Sequence, residues 1–119
     1  MARILLADDD KGALDLVRRA LAMDGHAVTT VDDGNDAQSV LDGASFDVIV
    51  ADVDMPGVDG IELAGLAKAQ IAGIGIVFIS GSQELLDKAR SAGLGKVRLV
   101  IKPFTIEKIR SEVRAVLGN

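Results

Sequence analysis

Five short runs of β-branched and aliphatic residues recur along the chain, each followed by a stretch with helical periodicity. This alternation restricts the fold more than any other feature. The runs are Ile4–Ala7, Ala27–Val31, Val48–Ala51, Ile76–Ile79 and Val97–Ile101. Each has the length of a strand, not of a helix. Leu14, Val17 and Leu21 repeat at helical spacing over residues 11–24, and Ala37, Val40 and Leu41 do so over 35–43. Ile61, Leu63, Leu66, Ala67 and Ile71 mark a third helix, and Leu85, Leu86, Ala89 and Ala92 a fourth. Ile106, Ile109, Val113, Val116 and Leu117 mark the last. Gly25, Gly43, Gly73 and Gly93 stand at or just past the expected helix ends, where a left-handed residue commonly closes the helix. Thr105 is placed to cap the last helix.

Strict strand–helix alternation implies an α/β fold, a (βα)5 doubly wound parallel sheet with helices on both faces. The first, third and fourth runs are continuously apolar, as strands covered on both sides require. The second carries Thr29 and Thr30 and the fifth Arg98, which places them at the edges. With right-handed crossovers, the strand order 2-1-3-4-5, the flavodoxin-like order, satisfies these constraints. A chain of 119 residues is one domain's worth, so residues 1–119 are read as a single domain.

Charge and composition remove several function classes. A net charge of -5 and a pI of about 4.7 oppose direct nucleic-acid binding, which needs a basic stripe, and oppose attraction to an anionic membrane. With three Phe and neither Trp nor Tyr, a base-stacking surface is not expected. The absence of cysteine rules out disulfide and thiol chemistry. The longest apolar stretch, Ile71–Ile79, is far short of a membrane span, and the expected location is the cytoplasm.

In an open parallel sheet, ligands bind beyond the carboxyl ends of the strands, where the strand order reverses. Here that point lies between the first and third strands. Asp8, Asp9 and Asp10 follow the first strand, and Asp52 follows the third. Crowded carboxylates repel one another unless a cation offsets them, and magnesium suits a site with few carboxylates and several waters. Manganese is the expected substitute. The plainer reading of Asp8–Asp10, a cap on the first helix, needs only one acid. Asp9 is expected as the direct ligand, with Asp8 beside it or acting through water; the backbone carbonyl of Asp54 is a further candidate. Ser80 follows the fourth strand and Lys102 the fifth. Alone, each reads as an ordinary loop or strand-end residue. Together with the acids they are what an incoming phosphoryl group requires, since its transfer depends on positioning and on neutralising the equatorial oxygens. Ser80 and the Gly81 amide would donate hydrogen bonds, and Lys102 a point charge. A carboxylate at the end of a central strand is rigidly held, which makes Asp52 the expected nucleophile and acyl-phosphate site.

The strings Leu5-Leu6-Ala7-Asp8-Asp9-Asp10, Asp52-Val53-Asp54-Met55-Pro56-Gly57-Val58-Asp59-Gly60, Phe78-Ile79-Ser80-Gly81 and Val100-Ile101-Lys102-Pro103-Phe104 resemble the receiver domains of bacterial response regulators (CheY-like) over the whole chain. The resemblance implies a stand-alone receiver of a two-component phosphorelay. It implies that Asp52 accepts a phosphoryl group from a histidine kinase or phosphotransfer protein, and that magnesium is required. It implies a cis Lys102–Pro103 bond, and no enzymatic activity beyond its own phosphorylation and dephosphorylation. It implies a downstream protein partner on the face of the fourth helix, fifth strand and fifth helix, and a monomer or weak homodimer. Ser80 stands where the family more often has Thr, and Gly81 where it often has Ala. Leu99 stands where an aromatic ring usually swings inward with the Ser80 hydroxyl as the switch pair, so the usual signal route is in question. His26, after Gly25 at the start of an edge strand, reads as a structural or incidental residue. Two other functions compete: a small haloacid-dehalogenase-like phosphatase, suggested by Asp52-Val53-Asp54, and an interaction module independent of phosphorylation.

Overall fold

The computed structural model describes residues 2–118. Five strands, β1 (Arg3–Ala7), β2 (Ala27–Val31), β3 (Val48–Asp52), β4 (Gly75–Ser80) and β5 (Arg98–Ile101), alternate with five helices. These are α1 (Lys11–Met23), α2 (Gly34–Gly43), α3 (Gly60–Gln70), α4 (Gln83–Arg90) and α5 (Ile106–Val116). The strands form one parallel sheet in the order β2-β1-β3-β4-β5, as the run compositions require. β3 is buried at every position, whereas β2 is buried only at Val31 and β5 only at Val100.

Alternating side chains feed two separate apolar layers, because successive strand residues point to opposite faces. Leu5, Ala7, Ile49, Ala51, Ile76 and Phe78 meet α2, α3 and α4 on one face. Ile4, Leu6, Val48, Val50, Val77 and Ile79 meet α1 and α5 on the other. Both parities must therefore be apolar in the central strands, which explains their unbroken runs.

The element ends correct several sequence expectations. Ala92, Ile71 and Leu117 lie outside the helices, and Val97 precedes β5. Gly25 and Gly93 adopt the left-handed conformation, at φ 82° and 76°, but Gly43 and Gly73 do not. α2 ends by passing directly into extended backbone at Ala44, and α3 is closed by the Ile71 amide on the Ala67 carbonyl. Neither exit turns back on its helix, so neither needs positive φ. Thr105 does cap α5, its hydroxyl accepting from the Lys108 amide.

One polar staple joins the two helices on the second face. Asp24, at the C-terminal end of α1, accepts through Oδ1 from Arg110 and Arg114 of α5. A carboxylate at a helix C-terminus is disfavoured by the helix dipole, and the two guanidinium groups reverse that. The Arg110 hydrogen bond holds the Asp24 carboxyl down at about 2, against the opposing effect of burial. A depressed carboxyl contributes stability above its unfolded value of 3.8 that is lost as pH falls toward the folded value. Asp24→Asn is expected to lower stability by about 1–3 kcal/mol at neutral pH. Urea denaturation should show the difference shrinking below about pH 4 and vanishing toward about pH 2; a pH-independent difference would rule out the ionic origin.

Candidate functional site

The carboxyl ends of four strands meet at one edge of the sheet. β1 leads into Asp8, β3 ends in Asp52, β4 ends in Ser80, and Lys102 follows β5. Backbone hydrogen bonds carry the ladder past the strand ends: Lys102 N donates to Ser80 O at 2.9 Å, and Val53 N to Ile79 O at 2.9 Å. These side chains thus project from backbone held in the ladder.

Asp8, Asp9 and Asp52 each place a carboxylate oxygen so that the three lie within 4.8 Å of one another. Asp8 is 1% exposed and Asp52 6% exposed, whereas Asp9 faces solvent. The Asp10 amide donates to Asp8 Oδ1 at 2.9 Å, and the Asp54 amide to Asp52 Oδ1 at 2.9 Å. Lys102 Nζ donates to Asp52 Oδ2 at 2.9 Å and lies 3.4 Å from Asp8 Oδ2. Asp8 Oδ2 is buried yet accepts no hydrogen bond. Asp10 is not part of this group. Its carboxylate accepts from the Gly12 and Ala13 amides and caps α1, so the three consecutive acids divide between a cap and a cluster. The cap reading holds for Asp10, while Asp8 and Asp9 join Asp52 in the acidic group.

Burial pushes the Asp8 carboxyl up to about 6, and the Asp52 charge adds to this, while the Asp10 amide and Lys102 pull the other way. Burial works against the Lys102 ammonium, but its hydrogen bond to Asp52 and the nearby charges outweigh this and raise it. One ammonium among three carboxylates leaves the pocket short of positive charge. An orphaned buried carboxylate oxygen beside two other oxygen donors fits a hard divalent cation.

Ser80 is 2% exposed and accepts at Oγ from the Ser82 amide at 3.0 Å, which leaves its own proton to donate. Gly81 is exposed, and a Cβ there would meet nothing within 4 Å, so packing does not demand glycine. Asp54 is exposed and its carboxylate lies outside the acid group, while its amide donates to Asp52. Leu99 sits opposite Phe78 on β5, half-buried against the α2–α4 layer. The Lys102–Pro103 peptide is cis. His26 accepts the Ala2 amide through Nδ1 at 3.1 Å at the other end of the sheet, a structural contact.

Two features escaped the sequence reading. Asp32, Asp33 and Asp36 form a second acidic group, but Asp33 Oδ1 caps α2 by accepting the Asp36 amide at 2.8 Å. The acid three residues after Asp33 was the available signal. Glu112 is 5% exposed and holds both Arg98 and Lys108; the Lys108–Glu112 spacing of four on α5 hinted at half of this.

Known proteins share this fold. Residues 4–114 match the family model of the response regulator receiver domain. The chain is 31% identical over 114 residues to the transcriptional regulatory protein TcrA of Mycobacterium tuberculosis, covering 96% of this chain and 45% of that protein. It spans about half the length of the curated relatives it matches. Among solved structures, the chemotaxis protein CheY4 of Vibrio cholerae superposes with a TM-score of 0.87 at 28% identity, covering 98% of each chain. The BeF3-activated receiver domain of DrrB superposes with a TM-score of 0.86 at 28% identity, covering 100% of this chain and 99% of that one. Among the described residues, no helix is long and apolar enough to cross a membrane.

Proposed function

Because this chain belongs to the response regulator receiver domain family, we propose that it is a phosphorylation-dependent signalling switch whose acceptor is Asp52. The observation that carries this reading is the Lys102 ammonium held on Asp52 beside the buried Asp8 Oδ2, which accepts no hydrogen bond. A carboxylate oxygen of Asp52 attacks the phosphorus of a phosphohistidine. The P–O bond forms, the P–N bond breaks, and the departing imidazole takes up a proton. Water reverses the modification by attacking phosphorus, which releases inorganic phosphate and restores the carboxylate. Asp8, Asp9 and Asp52, with the Asp54 carbonyl, would hold magnesium, or manganese in its place. Bound there, such an ion would supply charge neutralisation to the phosphoryl oxygens. Lys102 shifts from Asp52 to a phosphoryl oxygen, and Ser80 and the Gly81 amide donate to the others. The donor is a histidine kinase or phosphotransfer protein. The output is a change in affinity for a partner protein at the α4–β5–α5 face, a population shift driven by new contacts at the phosphoryl group. With Leu99 on β5, Ser80 movement is transmitted through aliphatic packing. Acetyl phosphate with magnesium is expected to add one phosphoryl group, located at Asp52 by peptide mass spectrometry. Label at any other residue would overturn the assignment.

The raised Asp8 carboxyl makes cation binding pH-dependent. Below about 6 a proton competes for this ligand, so magnesium affinity is expected to fall as pH drops through that value. In the metal-free protein the sign is opposite. The folded state binds the extra proton between 3.8 and about 6, so this group favours the fold as pH falls through that window. The rise in Tm on adding magnesium should therefore be larger at about pH 8 than at about pH 5. Equal rises at the two values would refute the role of Asp8.

A further inference from the structure

The charge of this chain is unevenly distributed. Eight of its thirteen basic residues, but only four of its eighteen acids, lie in residues 83–119. Three of these cations, Arg90, Lys96 and Arg98, line a cleft of about 480 Å3 at the amino ends of β4 and β5, on the opposite side of the sheet from Asp52. Arg90 ends α4, Lys96 lies in the loop before β5, and Arg98 opens β5, so three separate elements converge there. No acidic residue lines the cleft among the described residues. Arg98 is shared with Glu112, whereas Arg90 and Lys96 make no ion pair among the described residues. Ile74, Val97 and Val116 supply an apolar wall, and Gly73, Gly75 and Gly95 keep side chains out of the space.

Basic residues in the last turn of a helix complement its negative end, which accounts for Arg90 but not for Lys96 or the cleft. The volume lies in the range of small-molecule sites. A single cleft with two uncommitted cations and a shared third matches a compact polyanion. The extended stripe that a nucleic-acid backbone needs is absent. We propose that this cleft binds the diphosphate group of a small molecule. Arg90 and Arg98 meet its oxygens with planar donors and Lys96 with a point charge. The apolar wall takes whatever organic body the diphosphate carries. The site is separate from the phosphoryl-acceptor pocket, so the two readings stand or fall independently.

The test is an amide NMR titration of the metal-stripped full chain with inorganic pyrophosphate and, separately, with ADP. Shifts at Gly73, Gly75, Gly95, Lys96 and Arg98 are expected. Lys96→Glu and Arg90→Gln should each weaken binding roughly tenfold or more and leave labelling by acetyl phosphate unchanged. Equal affinity for the two probes would identify the bare diphosphate as the ligand chemistry. Tighter ADP binding would add a role for the apolar wall. Silence at the cleft amides would overturn the proposal, as would shifts that persist undiminished in Lys96→Glu. So would a short polyglutamate peptide that shifts these amides when neither phosphate does, since the cleft would then dock an acidic protein segment.

Discussion

Asp52→Asn is expected to take up no phosphoryl group from acetyl phosphate and magnesium under conditions that label the parent chain. An amide oxygen is a poor nucleophile toward phosphorus, and the change removes one of the three grouped carboxylates. The loss should exceed about a thousandfold in labelling rate, the scale on which removal of a reacting nucleophile acts. The fold should survive. Asparagine keeps an acceptor for the Asp54 amide, and Lys102 retains Asp8 as a partner at 3.4 Å. Intact-mass measurement after acetyl phosphate treatment reads the first expectation, and circular dichroism the second. Undiminished labelling of folded Asp52→Asn would remove Asp52 from the mechanism.

The second large effect is expected at a residue that carries no chemistry. Gly60 begins α3 behind the acceptor strand, and a Cβ there would stand 2.2 Å from the Asp52 carbonyl oxygen and 2.9 Å from Val53 Cα. These are backbone atoms in a central strand, so no side chain can rotate away to make room. Gly60→Ala must push α3 off the end of β3, at a cost of about 3–5 kcal/mol. It should also displace Asp52, because the Gly60 amide donates to the Val53 carbonyl at 3.2 Å, one residue from the acceptor. Gly43→Ala is the control. A Cβ there would meet nothing within 4 Å, and the residue is helical, so a gain of roughly 0.5–1 kcal/mol is expected. Urea denaturation of both variants separates the two cases. A Gly60→Ala variant as stable as the parent would show that the α3–β3 approach is not tight.

Much of the site could be read in advance because each residue ends a strand or directly follows one. Asp8, Asp52, Ser80 and Lys102 are ordered by the ends of apolar runs, and a parallel sheet brings such ends to one edge. The edges of the sheet were equally legible from Thr29, Thr30 and Arg98. The division of labour among the acids was not. Asp8, Asp9 and Asp10 have the same side chain in consecutive positions. Only the start of α1 decides that Asp10 turns to the Gly12 and Ala13 amides while Asp8 turns inward.

The alternation of elements, the order of the strands and the residues gathered at the carboxyl edge of the sheet are encoded locally. All of these follow from local periodicity and from polar residues placed at strand ends. The remainder depends on how closely the folded elements pack. Asp24 meets Arg110 across 86 positions. Gly60 is required by the closeness of one backbone to another. Lys102 reaches Asp52 across 50 positions and leaves Asp8 Oδ2 buried without a donor. Arg90, Lys96 and Arg98 look like scattered surface charges until the sheet and α5 enclose the space between them. Local pattern sets which elements form, while their packing distances set which groups are paired, which are crowded and which are left without a partner.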